Sequence, residues 1–393
     1  MKIHYKRYSI FIIIAYFTFF YPVYFNTSGL GEICDMLYNF LLAVSLVIVS
    51  YKFSKKPRTF GKQISVSGIY WIVAYVVVNI VSSAINGVLT INTTKTMLAI
   101  TIICLLSTYL CYTNSERFIY SLEFAVATLV IANLITQVLY PDGLYQDGGT
   151  SKWLLGQKNQ FMPYISVMLI VSAIRVTRFN NRVVDVRFIV LYLLGLLSNW
   201  LSASMTSVVL LIFVGIAVIV YIVSFSHISV NLKVLLPLIA VFCIVAVSGS
   251  ETWVGRFASD FLGKDVTFTG RTLIWETVLL HIISSPIFGQ GYLTGDQMAM
   301  LIDGNIWSAR RSAHNMYLQF LFDGGIILLA VMIAFFYSIS RKIIHEENKN
   351  YVFLMSTLLV MMLINGIFES TCRTVLFWLG MQIFFLSSTI HEK

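Results

Sequence analysis

Residues 67–88, SGIYWIVAYVVVNIVSSAINGV, run without a single Asp, Glu, Lys or Arg. A membrane-crossing helix needs roughly 20 predominantly apolar residues, because the hydrocarbon layer is about 30 Å thick and each residue adds about 1.5 Å. The stretch meets that length and offers no polar face to water, so it reads as a span. Working outward, the same pattern recurs at 8–25, 34–51, 95–112, 117–139, 160–177, 187–202, 204–225, 231–249, 313–340, 351–368 and 372–389. That makes twelve expected spans. The stretch 187–225 has two readings: two short helices joined at 202–204, or one span followed by a broken helix.

The whole chain agrees with its most apolar part. Of 393 residues, 58% are hydrophobic and 11% charged, and the mean hydropathy is +0.81. Soluble domains carry about 25% charged residues. The deficit leaves too little polar surface to cover a globule of this size, so lipid must cover it. The expected fold is therefore all-α: a polytopic membrane protein of about twelve transmembrane helices. A net charge of +9 needs no nucleic acid to explain it. With the N-terminus in the cytoplasm, 18 of the 27 Lys and Arg residues fall inside, as the positive-inside rule requires. They include Lys52, Lys55, Lys56, Arg58 and Lys62, and Arg175, Arg178, Arg182 and Arg187. Both termini are expected in the cytoplasm. The basic segment 1–9 followed by the apolar run 10–24 lacks a small-residue cleavage pattern, and it reads as the first span rather than a removed signal. Cys34, Cys104, Cys111, Cys243 and Cys372 show no metal-ligand spacing and imply no disulfide framework.

The spans leave one domain, 1–393, with two notable outer loops. Loop 140–159, YPDGLYQDGGTSKWLLGQKN, is rich in Gly, Asp and aromatic residues, and loop 249–312 is the longest connection. Long loops on a rigid scaffold commonly carry function. In the long loop, Arg271 opens a segment, TLIWETVLLHIISS, whose apolar residues recur at helical spacing up to Pro286. At about 21 Å it is too short to cross and is expected to lie at the outer membrane surface. Arg271, Trp275, Val278 and Ile282 share a face. At a helix start Arg271 suits a phosphate, while the alternative is a side chain snorkelling to lipid headgroups. PIFGQGY (286–292) reads as a tight turn.

SARRSAHNMYLQFLFDGG (308–325) then enters the tenth span. Ser312 is expected to cap that helix, with His314 and Asn315 in its first turn and Arg310 and Arg311 just before. Histidine transfers protons near neutral pH, and the neighbouring cations favour its neutral form. A lone interfacial histidine also has a purely structural reading, against which the adjacent arginines weigh. Asp323, about 13 Å along the axis from His314, is expected to pair with a basic residue, and Gly324 and Gly325 to admit a neighbouring helix. Glu369 and Arg373, four apart, are expected to form a local ion pair. In the shorter loop, Trp153, Lys158, Asn159 and Gln160 combine rings and amides suited to sugars, with an interfacial Trp anchor as the alternative for Trp153.

The order GR-TLIW, P-IFGQGY and AHNMYLQFLFDGGI is similar to the C-terminal signature of the O-antigen polymerase and ligase superfamily (Wzy-type polymerases and WaaL-type ligases). The sharp match covers about residues 269–326, and LLGQKNQ (154–160) looks like an earlier motif of that family. The resemblance implies a GT-C-like glycosyltransferase that takes glycan from undecaprenyl diphosphate at the outer face of the bacterial cytoplasmic membrane, without metal or other cofactor. By the same resemblance, His314 looks like the essential histidine. Arg271, with Arg310, Arg311 or Lys158, would bind the diphosphate, and Asn159, Trp153, Asn315 and Trp275 the glycan. Other implied partners are membrane lipids, a flippase and a chain-length regulator. One departure stands out: many members carry an arginine in a Ser-Arg pair where this chain has Met205, in LSASMTS (201–207).

The expected activity is polymerisation of lipid-linked repeat units into capsular polysaccharide, exopolysaccharide or O-antigen. The nearest rival is a ligase moving finished glycan to another acceptor. A flippase or transporter is disfavoured by the scarcity of charges within spans and the lack of repeats. A metal-dependent enzyme would have to use Glu32 and Asp35 in the first loop, whose spacing is unremarkable.

Overall fold

A computed structural model describes residues 7–147, 150–224, 271–305 and 311–390. Helices α1 (Ile10–Phe19), α2 (Gly31–Lys55), α3 (Pro57–Val66), α4 (Ile69–Ile85), α5 (Ile91–Thr113) and α6 (Ser115–Leu139) come first. A hairpin follows, with β1 (Tyr145–Asp147) antiparallel to β2 (Thr150–Lys152) in the register Tyr145–Lys152, the one departure here from an all-α expectation. After it come α7 (Phe161–Ile174), extended by a π-helical turn at Arg175–Phe179, α8 (Val186–Leu201) and α9 (Met205–Ser224). The last described elements are α10 (Arg271–Ser284), α11 (Gly295–Asp303), α12 (Met316–Ile344), α13 (Lys349–Phe368) and α14 (Val375–Ser387).

Among the described residues, seven helices are long and apolar enough to cross a membrane. They comprise α2, α5, α6, α7 with its flanking turns, α9, α12 and α13. The pair α3–α4, bent by 78°, makes an eighth if taken as one span, and α1, α8 and α14 are shorter apolar helices. Eleven of the twelve expected spans thus contain a helix, and the twelfth, 231–249, lies outside the described residues. The open question at 187–225 resolves into two helices joined at 202–204. Ala203 there adopts φ 52°, a conformation that lets Ser204 N–H reach the Asn199 carbonyl at 3.0 Å.

Burial separates the helices into a hub and a rim. All fourteen residues of α7 are buried, and α6, α8, α13 and α14 pack around it. By contrast α2 buries only Leu42, Ser45 and Val49, while exposing Met36 (72%), Val47 (67%) and Phe40 (63%). So much apolar area facing outward along a 25-residue helix fits lipid, not water. Some buried polar side chains join helices: Gln382 donates to Cys104 O and Thr108 Oγ1, linking α14 to α5.

Helix α12 is not continuous. Gly324 (φ −143°, ψ 17°) and Gly325 (φ 63°, ψ −159°) interrupt it, freeing backbone groups that a membrane helix cannot leave unpaired. The PIFGQGY turn supplies their partners. Gln290 N–H donates to Phe322 O at 2.7 Å, Gly291 N–H to Asp323 O at 3.1 Å, and Ile326 N–H to Pro286 O at 2.9 Å. From α4, the Ser82 hydroxyl also reaches Asp323 O, at 2.8 Å. A Cβ at Gly325 would lie 2.2 Å from Ile287 O, and one at Gly289 2.5 Å from Phe322 O. The expectation that these glycines admit a neighbouring helix holds at Gly324, where a Cβ would lie 2.9 Å from Val78 of α4. Gly325 instead breaks its own helix and admits the turn, backbone to backbone.

Candidate active site

His314 lies in the segment just before α12. Asn315, not Ser312, is the N-cap: its side chain accepts from the Tyr317 and Leu318 amides at 2.9 and 3.0 Å. His314 stands outside the helix with φ 47°, and its amide lies 3.4 Å from Ser312 Oγ. Ala313 is clamped on both sides. Its carbonyl accepts from Trp275 Nε1 at 2.9 Å, and its amide donates to Gln319 Oε1 at 2.9 Å. These bonds hold His314 in a backbone conformation that non-glycine residues rarely adopt.

The imidazole faces a carboxylate from a distant part of the chain. His314 Nδ1 lies 3.4 Å from Glu369 Oε2, and Arg271 Nη2 lies 2.7 Å from the other oxygen of the same group. Arg271 Nη1 also donates to Phe368 O at 2.6 Å, and the Asn315 amide to Ser370 Oγ at 3.2 Å. Glu369 sits where α13 ends, His314 just before α12, and Arg271 at the first residue of α10. All three side chains keep 16–19% exposure, so the cluster is sheltered without being sealed.

A second pair lies beside it. Arg373 Nη2 meets Asp323 Oδ1 at 2.7 Å, its Nη1 donates to Leu293 O at 2.6 Å, and its guanidinium sits 4.5 Å over the Tyr292 ring. Burial pushes the Tyr292 hydroxyl up to about 12 against the pull of Arg373. Gln319 Nε2 donates to the same Asp323 oxygen at 2.8 Å, which ties this pair to Ala313 and so to His314. The expected basic partner for Asp323 is present. The expected Glu369–Arg373 pair is not: each residue pairs elsewhere, because the chain between them turns through a 3-10 segment, Thr371–Arg373, instead of one face of an α-helix.

Other expected site residues are dispersed. Arg311 pairs with Asp296 at 3.1 Å on the surface, and Arg310 lies outside the described residues. The side-chain partner shown for the His314 ring is thus a carboxylate. Trp275 is 2% exposed and packs with Val278 and Ile282, and Trp153 is 6% exposed with Nε1 donating to Tyr140 O. Neither presents a ring face to a sugar, and Asn315 is fully buried as a cap. Lys158 and Asn159 lie in the turn that leads into α7, whose first residues approach Asn365 and Thr371 at this same end. No contact shown among the described residues joins them to His314 or Arg271. Met205, standing where the resemblance expects an arginine, is exposed at the start of α9.

The family model described as O-antigen ligase matches residues 188–333. That segment is similar to the O-antigen ligase family. The matched segment runs from α8 into α12 and includes Arg271, Gln319, Asp323 and His314 together with the turn docked on the broken helix. Glu369 and Arg373, which complete both ion pairs, lie beyond its C-terminal limit. No curated protein matches the chain.

Proposed function

We propose that this chain polymerises oligosaccharide repeat units carried on undecaprenyl diphosphate, as a twelve-span, GT-C-like enzyme at the outer face of the bacterial cytoplasmic membrane. One observation carries the reading: a single carboxylate, Glu369, holds both an imidazole and a guanidinium in a half-open cluster. With its Nδ1 proton directed at Glu369, His314 presents Nε2 as an acceptor for the attacking sugar hydroxyl. The acceptor oxygen bonds to the donor's anomeric carbon, the anomeric carbon–phosphate oxygen bond breaks, and the hydroxyl proton passes to Nε2. The diphosphate leaves as an anion, and the N–H groups of Arg271 not engaged by Glu369 and Phe368 O stabilise its growing charge. No step calls for a metal ion.

The test uses full-length protein in proteoliposomes with a synthetic polyprenyl-diphosphate repeat unit. His314→Ala and Arg271→Ala are each expected to slow the formation of linked repeats by about a hundredfold or more, with insertion and thermal melting preserved. Polymer at the normal rate from both variants overturns the assignment. The family description favours a second reading, transfer to another acceptor by the same chemistry. Supplying the donor with and without a separate glycan acceptor separates the two: product that grows on the donor alone is polymer.

A further inference from the structure

We propose that the outward face of α3 binds anionic phospholipid headgroups in the leaflet opposite the His314 end. The sequence around α3 is unusually one-sided. Lys52, Lys55, Lys56, Arg58 and Lys62 fall within eleven residues, and no Asp or Glu occurs between Asp35 and Glu116. Among the described residues, none of the five is shown in an ion pair, and Lys55, Lys56, Arg58 and Lys62 are exposed. This charge is fixed in place by a rigid bend. Gly68, at φ 77° with the Phe385 ring 2.7 Å from where a Cβ would be, turns the chain by 78° between α3 and the spanning helix α4. A helix nearly perpendicular to its neighbouring span lies along the membrane plane, at headgroup depth.

The two faces of α3 differ sharply. Phe60, 1% exposed, and Ile64 point into the protein, with the Phe60 ring 6.5 Å from that of Phe53. Arg58 and Lys62, also four apart, occupy the opposite side. The protein thus already covers the apolar face, and only the cationic face is left for a partner. From α12, Lys342 anchors the end of α3 by donating to Val66 O at 2.6 Å. Exposed aromatic side chains adjoin the charges: Tyr51 is 63% and Phe53 49% exposed, and Lys55 lies 5.8 Å over the Tyr51 ring. Cations beside interfacial aromatics, in a plane parallel to the bilayer, fit phosphate-bearing headgroups of net negative charge. This assignment is independent of the catalytic reading, since α3 lies at the opposite end from His314.

The experiment reconstitutes the full-length chain in nanodiscs of phosphatidylcholine and phosphatidylglycerol in equal parts, then counts retained lipids by native mass spectrometry. The wild-type chain is expected to retain phosphatidylglycerol over phosphatidylcholine, with a preference that falls as salt rises. A K55Q/K56Q/R58Q/K62Q variant is expected to lose that preference by about tenfold or more, whereas K55R/K56R/K62R keeps it. If the fourfold variant does not fold, R58Q/K62Q alone is expected to lower the preference severalfold. Equal retention of the two lipids by the wild type, an unchanged preference after charge removal, or recovery of an acidic protein in place of lipid would each overturn the proposal.

Discussion

Two arginine–carboxylate clusters occupy opposite ends of this bundle, and they differ in closure and charge balance. At one end, Arg175 binds Glu123 at 2.9 Å and also Asp185, while Arg187 lies 2.7 Å from the second Glu123 oxygen. Arg175 is 3% exposed and Glu123 fully buried, and Asp185 also caps α8 through the Phe188 amide. Two cations meet two anions. At the other end, one carboxylate serves an arginine and a titratable imidazole, and every member keeps some contact with solvent. Similar residue types make a closed cluster in one place and a partly open one in the other. What distinguishes them is whether each charge is already answered.

The sharpest way to break this contrast is to remove one charge from the closed cluster. Arg175→Ala leaves Glu123 buried beside a more exposed arginine, and should cost about 3–5 kcal/mol of stability. A large drop in the thermal melting point in detergent is expected, in contrast to the preserved melting of His314→Ala. Equal loss in both variants would erase the distinction. Next in size, Glu369→Gln keeps the side chain's shape but removes the charge shared by His314 and Arg271. Turnover is expected to fall by roughly tenfold to a hundredfold, the worth of one charge-assisted hydrogen bond, with an altered pH–rate profile and little change in melting. An unchanged pH profile would reduce Glu369 to a tether. The smallest effect concerns Asp185. Burial alone would raise it, but the Arg175 hydrogen bonds and the Phe188 amide more than offset this and hold the carboxyl below its usual range. Its contribution is therefore full above the unfolded value near pH 4 and fades as pH falls through the lower folded value. Acid melts should show Asp185→Asn converging with the wild type below about pH 4 and separated from it above.

The apolar helices were legible because hydropathy is a property of consecutive residues, and seven of those described are long and apolar enough to cross a membrane. The start of α10 at Arg271 and the basic partner of Asp323 were legible for a related reason: a charge at a surface helix start or inside a span has few places to go. Glu369 was not. Its four-residue spacing from Arg373 suggested a neighbour on one helix face, yet a 3-10 turn intervenes, and the true partners are 55 and 98 residues away in sequence. Trp153 and Trp275 misled in the same way. Aromatic residues in outer loops suit sugars and cores equally well, and only tertiary packing shows which face is spent. Asn315 reads as a polar contact residue until the helix boundary is known, when its role as a cap becomes evident.

The union between the interrupted helix α12 and the 286–292 turn works as a dovetail joint, in which each half is cut to the other's width. Three amide–carbonyl links cross it in a fixed register, so a single-residue insertion in either half would misalign all of them at once. Substitutions elsewhere in the surrounding loops can be absorbed one at a time, but these two stretches can change length only together. That makes the joint a part of the chain with little freedom to drift, and Gln319 links it, through Asp323, to Ala313 beside His314.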